Sequence, residues 1–467
     1  MKNLKIYSLM VFLVLLVFTS GCIGTQDDQT ATDSDSSDAS DVQMEDAQAE
    51  MDGNMTPPDG MPDGEMGMPP GGEGGSASVD TGTGAYVLAD GEELTEGTYT
   101  SSNDDENAIR AEGEVTATLT DVSVEKTDGS ASSSDASSFY GLNAAILALD
   151  NAVLNINGGT VTATTEGSNG VFAYDGATIY IEDTEITVTG GNAGGIEVAG
   201  GGTMYASNLN VFSAVKAAIR SDRGGGTMVV DGGTYTTSGS SGAPAIYSTA
   251  DVTVSNAILT AETSEAVVVE GLNSVTINDC DVSGNMEGVY GDEGSENIHN
   301  VMLYQSMSGD AEVGTSSFTM TGGSLVSNNG DMFYVTNTES VITLNNVDLT
   351  LAEDTYLILI AGNDGSRGWG TEGSNGGTCD VNFNEQTATG DIMVDSISEM
   401  TLTLSDGTSY TGAINTDGTE ASVLSVTIDD TSIWTLSGDS YITELSGNTD
   451  NIELNGYTLY VDGVAFE

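Results

Sequence analysis

The chain has 467 residues, of which 72 are Asp or Glu and only 8 are Lys or Arg, giving a formal net charge of −64. Phosphate backbones and anionic lipid headgroups would be repelled by this charge, which argues against a nucleic-acid partner and against electrostatic membrane attachment. The carboxylates favour solubility and diffuse association with cations, and they also fit service in high salt. No EF-hand loop and no glycine-rich calcium nonapeptide occurs, so Ca²⁺ is a possible ligand without an assigned site.

Residues 1–21 have the pattern of a secretory signal peptide, with a basic start, an apolar run and small residues before the cut. The apolar run, Ile6–Phe18, is too short to span a membrane comfortably. Cys22 follows Ser20 and Gly21, which resembles a lipoprotein lipobox, although Thr19 stands where the bacterial pattern prefers Leu. The resemblance predicts acylation of Cys22 and an extracellular, lipid-anchored protein. The alternative is a cleaved signal peptide beside an incidental cysteine.

The next segment, residues 22–78, is rich in Asp, Ser, Gly, Pro and Met and has almost no branched apolar residues. Such a composition cannot bury a core, so we expect a disordered acidic tether that begins at the lipidated Cys22. Its methionines would also suit a soft metal such as copper. Because no His or Cys accompanies them, a repetitive linker is the favoured interpretation.

A repeat of about 24 residues then recurs 13 times. Each repeat places a turn residue between two short runs of alternating apolar residues, and the positions four and two before the turn are apolar, as in Ile179 and Ile181. The position three after the turn is apolar except at Ser409. The turn residues are Asp121, Gly158, Asp183, Asn208, Gly232, Asn256, Asp279, Gly322, Asn346, Glu385, Asp406, Asp430 and Gly456. This pattern predicts strands with one buried face, separated by corners at which φ is positive.

A third short apolar run lies about a dozen residues before most of the turns, as in Val171/Ala173 and Val267/Val269. Three short strands in about two dozen residues are typical of one coil of a right-handed parallel β-helix. We therefore predict an all-β fold, in which residues 79–467 form a single-stranded right-handed parallel β-helix of about 13 coils. At a strand spacing of about 4.8 Å, the rod would be about 60 Å long. No long amphipathic pattern follows residue 20, so we expect little helix.

Two cysteines lie inside the repeats. Cys280 and Cys379 are three coils apart in this frame, or about 14 Å along the rod. A disulfide joins Cα atoms no more than about 7 Å apart, so we expect no bridge between them. We predict that Cys280 is a buried small apolar residue and that Cys379 lies at the end of an insertion.

Insertions interrupt the repeat at three places: about residues 127–142, 284–316 and 361–378. We interpret Val301–Gln305 as the third strand of its coil, so that residues 306–316 leave the rod at the same corner as residues 361–378. The segment 216–226 leaves from that corner too. Since solenoids often bind through the face that bears their insertions, this corner is the candidate site.

Scarce residue types collect at this corner. Three of the six basic residues that follow residue 21 lie in the segment 216–226, and Trp369 is one of two tryptophans. A Trp beside Arg and carboxylates is typical of stacking on a sugar ring and holding its hydroxyls. The alternative is that Trp369 packs within its own loop while the arginines offset local acidity. The candidate ligand-binding residues are Lys216, Arg220, Asp222, Arg223, Asp310, Glu312, Asp364, Arg367 and Trp369; no catalytic residue is assigned, and a metal site remains unknown.

Four strings carry a family resemblance: YQSMSGDAEVGTSSFTMTGGSL, FYVTNTESVITLNNVDL, WGTEGSNGG and the ending TSIWTLSGDSYITELSGN with NGYTLYVDG. Through them, residues 115–467 resemble the right-handed parallel β-helix repeat proteins, often labelled adhesin-like, of anaerobic bacteria and methanogenic archaea. The first half matches only by its repeat pattern. The resemblance implies a cell-surface location and adhesion or carbohydrate interaction as the expected role, and it brings no established chemistry.

Pectate lyases and polygalacturonases share this fold, so a polysaccharide-active lyase or glycoside hydrolase is the alternative. A polygalacturonase-like site needs a Gly-His-Gly and an Arg-x-Lys, whereas the only histidine here is His299 and no Arg-x-Lys occurs. A lyase-like reaction would need Arg220 or Arg223 as the base, with Asp222 and calcium, and the net charge would repel polygalacturonate. Paired carboxylates for hydrolysis of a neutral glycan remain open.

The favoured prediction is a non-enzymatic, adhesin-like or carbohydrate-binding surface lipoprotein without a cofactor. It would engage glycans or neighbouring cell-surface polymers and touch the membrane only through its lipid anchor. A third class, a structural spacer or surface-layer component, predicts no ligand at all.

Overall fold

The computed structural model describes residues 79–288 and 297–466. The predicted signal peptide, the predicted acylation site Cys22 and the predicted tether lie outside the described residues. Within the described part of the chain, no helix is both long enough and apolar enough to cross a membrane.

Parallel strands dominate the described residues, and they form two long sheets. The first, sheet A, contains 12 strands whose spatial order follows the chain. Its strands are Thr83–Val87, Glu106–Glu112, Ile146–Leu149, Val171–Tyr174, Ile196–Ala199, Ile219–Ser221, Ile246–Ser248, Val267–Glu270, His299–Tyr304, Asp331–Thr336, Ile358–Ile360 and Ile392–Val394. The apolar runs predicted as third strands lie here, and Val301 pairs with Val267 and Phe333. The interpretation of Val301–Gln305 as such a strand is confirmed.

The second long sheet, sheet B, contains 22 strands. Most successive strands of sheet A are separated along the chain by strands of sheet B, as predicted for three short strands in each repeat. Its strands are Glu93–Thr95, Thr98–Ser101, Thr116–Thr120, Ser123–Lys126, Val153–Asn157, Thr160–Ala163, Thr178–Glu182, Glu185–Val188, Gly202–Ser213, Gly226–Thr237, Asp251–Ser255, Ile258–Ala261, Ser274–Asn278, Asp281–Gly284, Thr315–Thr321, Ser324–Ser327, Glu339–Asn345, Asp348–Thr350, Thr378–Asn384, Glu399–Ser405, Val423–Ile428 and Glu444–Gly447. Long parallel sheets connected in this way are compatible with a parallel β-helix.

Two small sheets complete the strands near the C-terminal end. One contains Thr387–Thr389, Ser409–Thr411, Ile433–Thr435 and Ile452–Glu453, and the other Ser440–Ile442, Leu459–Val461 and Val464–Ala465. In the second, Leu459–Val461 and Val464–Ala465 pair antiparallel. Helix is scarce in the described residues, as predicted: α1 spans Ser134–Tyr140, and Thr449–Asn451 form a 3₁₀ turn. Ser133 caps α1, because its hydroxyl accepts a hydrogen bond from the Ala136 N–H at 3.2 Å.

The predicted corners adopt the backbone conformation that their residue types favour. Twelve of the 13 turn residues have positive φ, between 50° and 90°, and only Asp430 does not. Gly has no Cβ to clash in this region, and the short polar side chains of Asn and Asp tolerate it better than others do. The turn frame read from the sequence is therefore confirmed at all corners but one.

The alternating apolar residues form a continuous core on the inner faces of the sheets. Ile179 and Ile181 are no more than 2% exposed, as the repeat predicts. The irregular position Ser409 also has an explanation, because the inward side chain there is Tyr410, one residue later. The same shift places Trp434 inside and leaves Ile433 40% exposed, so the inward position expected for Ile433 is wrong.

The cysteines lie in this core as free thiols. Cys280 is 1% exposed, and Cys379 is fully buried at the second residue of the strand that follows the third insertion. Both predictions of their environment are confirmed. Burial raises the pKa of the Cys379 thiol to about 12, so the thiol is protonated and unreactive near neutral pH.

Sheet A differs from sheet B in its outer face. Strands of sheet B alternate between buried and partly exposed residues, as in Val153–Asn157. In sheet A, the strands Ile146–Leu149, Ile196–Ala199 and Val267–Glu270 are buried at every position. Because a strand has only one face toward the core, something else must cover the outer face of sheet A. The insertions provide this cover.

Candidate functional site on the outer face of sheet A

One column of outward side chains crosses the middle of sheet A, with one residue contributed by each of eight successive strands. In order, and by strand register, the column contains Leu147, Phe172, Glu197, Arg220, Tyr247, Val268, Met302 and Tyr334. Leu147 and Phe172 belong to one apolar cluster outside the main core, and Val268, Met302 and Tyr334 belong to another. The polar residues therefore lie between two apolar patches.

A buried group of charges occupies this polar middle. Arg220 donates to the Asp222 carboxylate at 2.5 Å, and its Nε lies 3.7 Å from Oε1 of Glu197. All three side chains are buried, and Glu197 is fully so. Neither carboxyl oxygen of Glu197 has a hydrogen-bond partner among the described residues, and the same holds for Nη1 of Arg220. Loss of solvation raises the pKa of Glu197 well above its ordinary value despite the nearby guanidinium, so this carboxyl group holds a proton near neutral pH.

Lys216 lies at the margin of the same group. Its Nζ donates to the Ser138 hydroxyl of α1 at 3.0 Å, so this lysine contacts the first insertion. Burial, and next the charge of Arg220, lowers the pKa of Lys216 to about 7. A part of the population therefore carries a neutral amine at neutral pH.

A second polar group surrounds Glu270 on the adjacent strands. The hydroxyls of Tyr247 and Tyr304 donate to Oε2 of Glu270 at 2.5 and 2.8 Å, and the Ser306 hydroxyl donates to Oε1. Burial raises the pKa of both tyrosines well above the usual range, which keeps them as donors. Through Ser306, this group ties the start of the 306–316 segment to sheet A.

Arg223 joins two insertions above the buried charges. Its Nε lies 2.6 Å from Oδ1 of Asp310, and its guanidinium lies 4.0 Å from the centre of the Phe139 ring at the end of α1. The side chains of Arg223 and Asp310 are 43% and 26% exposed. Arg223 with these two partners, here called the clasp, closes the cover over Arg220 and Asp222.

The third insertion covers the other apolar patch. The Met307 N–H donates to the Gly368 carbonyl at 2.9 Å, which joins residues 306–316 to residues 361–378. Trp369 is only 6% exposed and packs edge-on against Tyr304, with ring centres 5.0 Å apart. Arg367 lies over the Trp369 ring at 4.8 Å. This burial favours the packing role that the sequence left as the alternative to stacking on a sugar ring.

The remaining predicted residues lie on the outside of the cover. Glu312 and Asp364 are exposed. The Glu312 carbonyl accepts a hydrogen bond from the Leu272 N–H at 2.7 Å, and the Asp364 carboxylate accepts from the Ser366 N–H at 2.9 Å. The structure thus brings together the segments 216–226, 306–316 and 361–378, and it adds α1 to them. Of the predicted residues, Arg220, Asp222 and Trp369 lie beneath this cover rather than on its surface.

Several residues of this region escaped the sequence analysis: Phe139, Glu197, Tyr247, Glu270 and Tyr304. The sequence held a usable signal for two of them, because Glu197 and Tyr247 occupy the same position as the predicted Arg220 in successive strands of sheet A. Aligning the third strand of each repeat, rather than the turn, would have shown this polar column. Contacts across insertions, such as Phe139 with Arg223, have no comparable signal.

Among residues 79–288 and 297–466, no group of three or more His, Cys, Asp or Glu side chains is arranged to hold a metal ion. In comparisons with known proteins, no family model, no curated protein and no solved structure matches this chain significantly. The function therefore has to be argued from the residues themselves.

Proposed function

We propose that this protein is a lipid-anchored, cell-surface rod that binds glycans or neighbouring surface polymers without catalysing a reaction. Its rod would be a single-stranded right-handed parallel β-helix of about 13 coils. The order of strands in sheet A and the positive φ at the corners support this architecture. The signal-like residues 1–21 and the lipobox-like Cys22 support the proposed cell-surface location and lipid anchor.

The observation that carries the binding proposal is the convergence of separate insertions on one face of sheet A. Regular coils need no such cover, and solenoids commonly bind through the face that bears their insertions. The outer surface of these insertions, here called the rim, contains the exposed residues Glu312 and Asp364, and it also contains Arg223 and the partly exposed Arg367. Carboxylates accept hydrogen bonds from hydroxyl groups and guanidinium groups donate them, so a hydroxyl-rich polymer would be held at the rim by polar contacts.

The test is a pull-down of the full mature chain with isolated cell-surface polysaccharide. We expect the wild type to bind and the double variant Glu312→Gln/Asp364→Asn to bind more weakly. The control, Glu185→Gln/Glu444→Gln, removes two exposed carboxylates from sheet B and makes the same change in charge. Equal weakening by both variants would show a charge effect rather than a site, and no binding by the wild type would overturn the proposal.

The lipid anchor is tested separately. A labelled fatty acid should enter the wild-type chain during expression in a host with lipoprotein processing, and Cys22→Ser should abolish the label. Secretion of an unlabelled wild-type chain would mean that the signal peptide is cleaved and that Cys22 is incidental.

One observation favours the alternative, a polysaccharide-active enzyme. The buried Glu197 carboxyl group holds a proton and has no hydrogen-bond partner among the described residues, whereas Asp222 accepts a hydrogen bond from Arg220, so two carboxyl groups differ in environment. The test is release of reducing or unsaturated ends from pectin and neutral glycans with added calcium. Activity that is lost in Glu197→Gln, while the fold is retained, would replace the binding proposal with an enzymatic one.

A further inference from the structure

Two tyrosines form an exposed pair on sheet B, away from the insertions. Tyr180 lies in the strand Thr178–Glu182 and Tyr205 in the strand Gly202–Ser213, directly opposite each other in the register. Their ring centres are 5.0 Å apart and their planes differ by 9°, so the rings are stacked. They are 46% and 41% exposed, whereas most tyrosines of the outer face of sheet A are buried or hydrogen-bonded. These two side chains form what we call the tyrosine platform.

On the face turned away from its partner, each tyrosine ring has a neighbour with a shorter side chain. In the same column, the residue before Tyr180 is Asn155 and the residue after Tyr205 is Val229, followed by Thr253. The rings stack along the direction in which the strands succeed one another, so each ring has one face against its partner and one face toward a smaller side chain. A tyrosine ring extends beyond Asn or Val, which leaves a ledge on each side of the pair.

Polar groups surround these ledges in a shallow groove. Besides the two tyrosines and Asn155, the groove is lined by Asn157, Glu182, Ser207 and Asp231. Amide, hydroxyl and carboxylate groups can together donate to and accept from the hydroxyls of a sugar. None of the residues that line the groove is Lys or Arg. The site therefore offers aromatic faces and hydroxyl-binding groups, and it offers no cation for an acidic ligand.

From this geometry we propose that the tyrosine platform binds a neutral glycan built of pyranose rings. The C–H face of a pyranose packs on an aromatic ring while side groups hold its hydroxyls. The carboxylates of Glu182 and Asp231, together with a net charge of −64, exclude uronic-acid polymers by repulsion. The inference rests on the proposed glycan-binding function, and it adds a second site, on a different sheet from the rim, and a class of sugar.

A stacked cross-strand pair also stabilises a parallel sheet by its own contact, so stability alone does not test the proposal. The discriminating readout is binding. The probes are cellohexaose and mannohexaose as neutral ligands and polygalacturonate as the acidic one, measured by calorimetry with the mature chain. Tyr180→Phe/Tyr205→Phe keeps the rings and removes only the hydroxyls. Tyr441→Ala/Tyr460→Ala compares another stacked pair, with ring centres 4.7 Å apart, whose side chains are less exposed than those of the platform.

We expect the wild type to bind at least one neutral hexasaccharide, and Tyr180→Ala/Tyr205→Ala to weaken that binding about tenfold or more. The Phe variant should stay within about threefold of the wild type, and both the Tyr441/Tyr460 control and Glu312→Gln/Asp364→Asn should bind as the wild type does. Each variant should remain folded by circular dichroism, because the altered side chains lie at the surface.

The two proposals fail in different ways. Neutral binding that survives Tyr180→Ala/Tyr205→Ala but is lost in the rim variant would overturn the platform and leave the proposed function intact. Binding of polygalacturonate alone would also overturn the platform, because the predicted ligand is neutral. Absence of binding to every glycan and to cell-surface polysaccharide would overturn both proposals.

Discussion

Replacing Trp369 by Ala distinguishes a side chain that packs the cover from one that holds a ligand. In the structure, Trp369 lies between Arg367 and Tyr304 and is 6% exposed. Its carbonyl accepts hydrogen bonds from the side-chain amides of Asn363 and Asn375, at 3.0 and 2.9 Å, and these bonds survive the substitution. The variant therefore removes the ring and leaves the frame of the loop in place.

The size of the effect follows from this burial. Truncation of a core Trp to Ala costs about 3 to 5 kcal/mol, through lost transfer free energy and the cavity that remains. The lower value is appropriate, because the loop covers the sheet from one side and can relax. A loss of about 3 kcal/mol, expressed locally, raises the open fraction of the loop by about 100-fold. In a repeat protein such a loss need not unfold the distant repeats, so the global melting temperature is a poor measure.

Trypsin provides a local measure because basic residues are so scarce. Arg367 is the only Lys or Arg in residues 361–378, and it lies over the Trp369 ring. When opening and closing are fast, cleavage after Arg367 follows the open population, so Trp369→Ala should be cut about 100-fold faster than the wild type. Trp369→Phe keeps an aromatic contact and should gain less than about tenfold. Unchanged cleavage in Trp369→Ala, together with lost glycan binding, would refute the packing role and restore the ligand-stacking one.

Three further predictions concern the buried charges, the corners and the clasp. Burial raises the pKa of Glu197 from 4.5 to about 8, so the folded protein keeps a proton that the unfolded chain releases. The wild type should therefore lose stability relative to Glu197→Gln as the pH rises from about 4.5 to about 8, and denaturant unfolding that shows no such trend would contradict this. Gly323→Ala should destabilise the protein by more than Gly91→Ala. Both glycines have positive φ, but only at Gly323 would a Cβ clash with a backbone carbonyl. Equal melting temperatures of the two variants would count against the corner geometry. Arg223→Ala should lower the free energy of opening of residues 306–316 by at most about 1 kcal/mol, which hydrogen exchange would report as faster exchange in this segment. The effect should be smaller at high salt, because the ion pair between Arg223 and Asp310 is partly exposed. An effect that is insensitive to salt would be inconsistent with an ion pair.

Periodic features of this fold could be predicted because they repeat. Ile179 and Ile181 are buried, and Asp183 turns at positive φ, for a reason that recurs in most repeats: alternation decides the inward face, and the corner needs a residue that tolerates a left-handed backbone. The prediction fails where the frame shifts by one residue. Near Ser409, an aromatic ring one position later fills the interior, and a one-residue slip exchanges inward and outward side chains.

The candidate site was less predictable, because it depends on what the insertions cover. The sequence placed residues 216–226, 306–316 and 361–378 at one corner, and the contacts of Arg223 and Met307 agree with this. It could not show that the loops fold back over sheet A rather than project from it. Because the loops fold back over sheet A, Trp369 packs within the cover instead of being available as the expected ligand contact. The length and composition of a loop do not determine whether it projects from the sheet or folds back over it. An apolar outer face on the sheet, by contrast, requires a loop that covers it.

Trp369 and the tyrosine platform therefore have opposite environments for one physical reason. On sheet A the outward column contains Phe172, Met302 and Tyr334, which must be covered, so an insertion that carries Trp369 is recruited to packing. On sheet B the outward columns are mostly polar and need no cover, so an aromatic residue placed there remains open to solvent. Tyr180 and Tyr205 occupy two successive positions of such a column, and a small polar side chain at either position would also be compatible with the fold of the sheet. An exposed aromatic pair that the fold does not need to bury is the kind of surface that a ligand explains, and for that reason binding experiments on this protein should begin at sheet B.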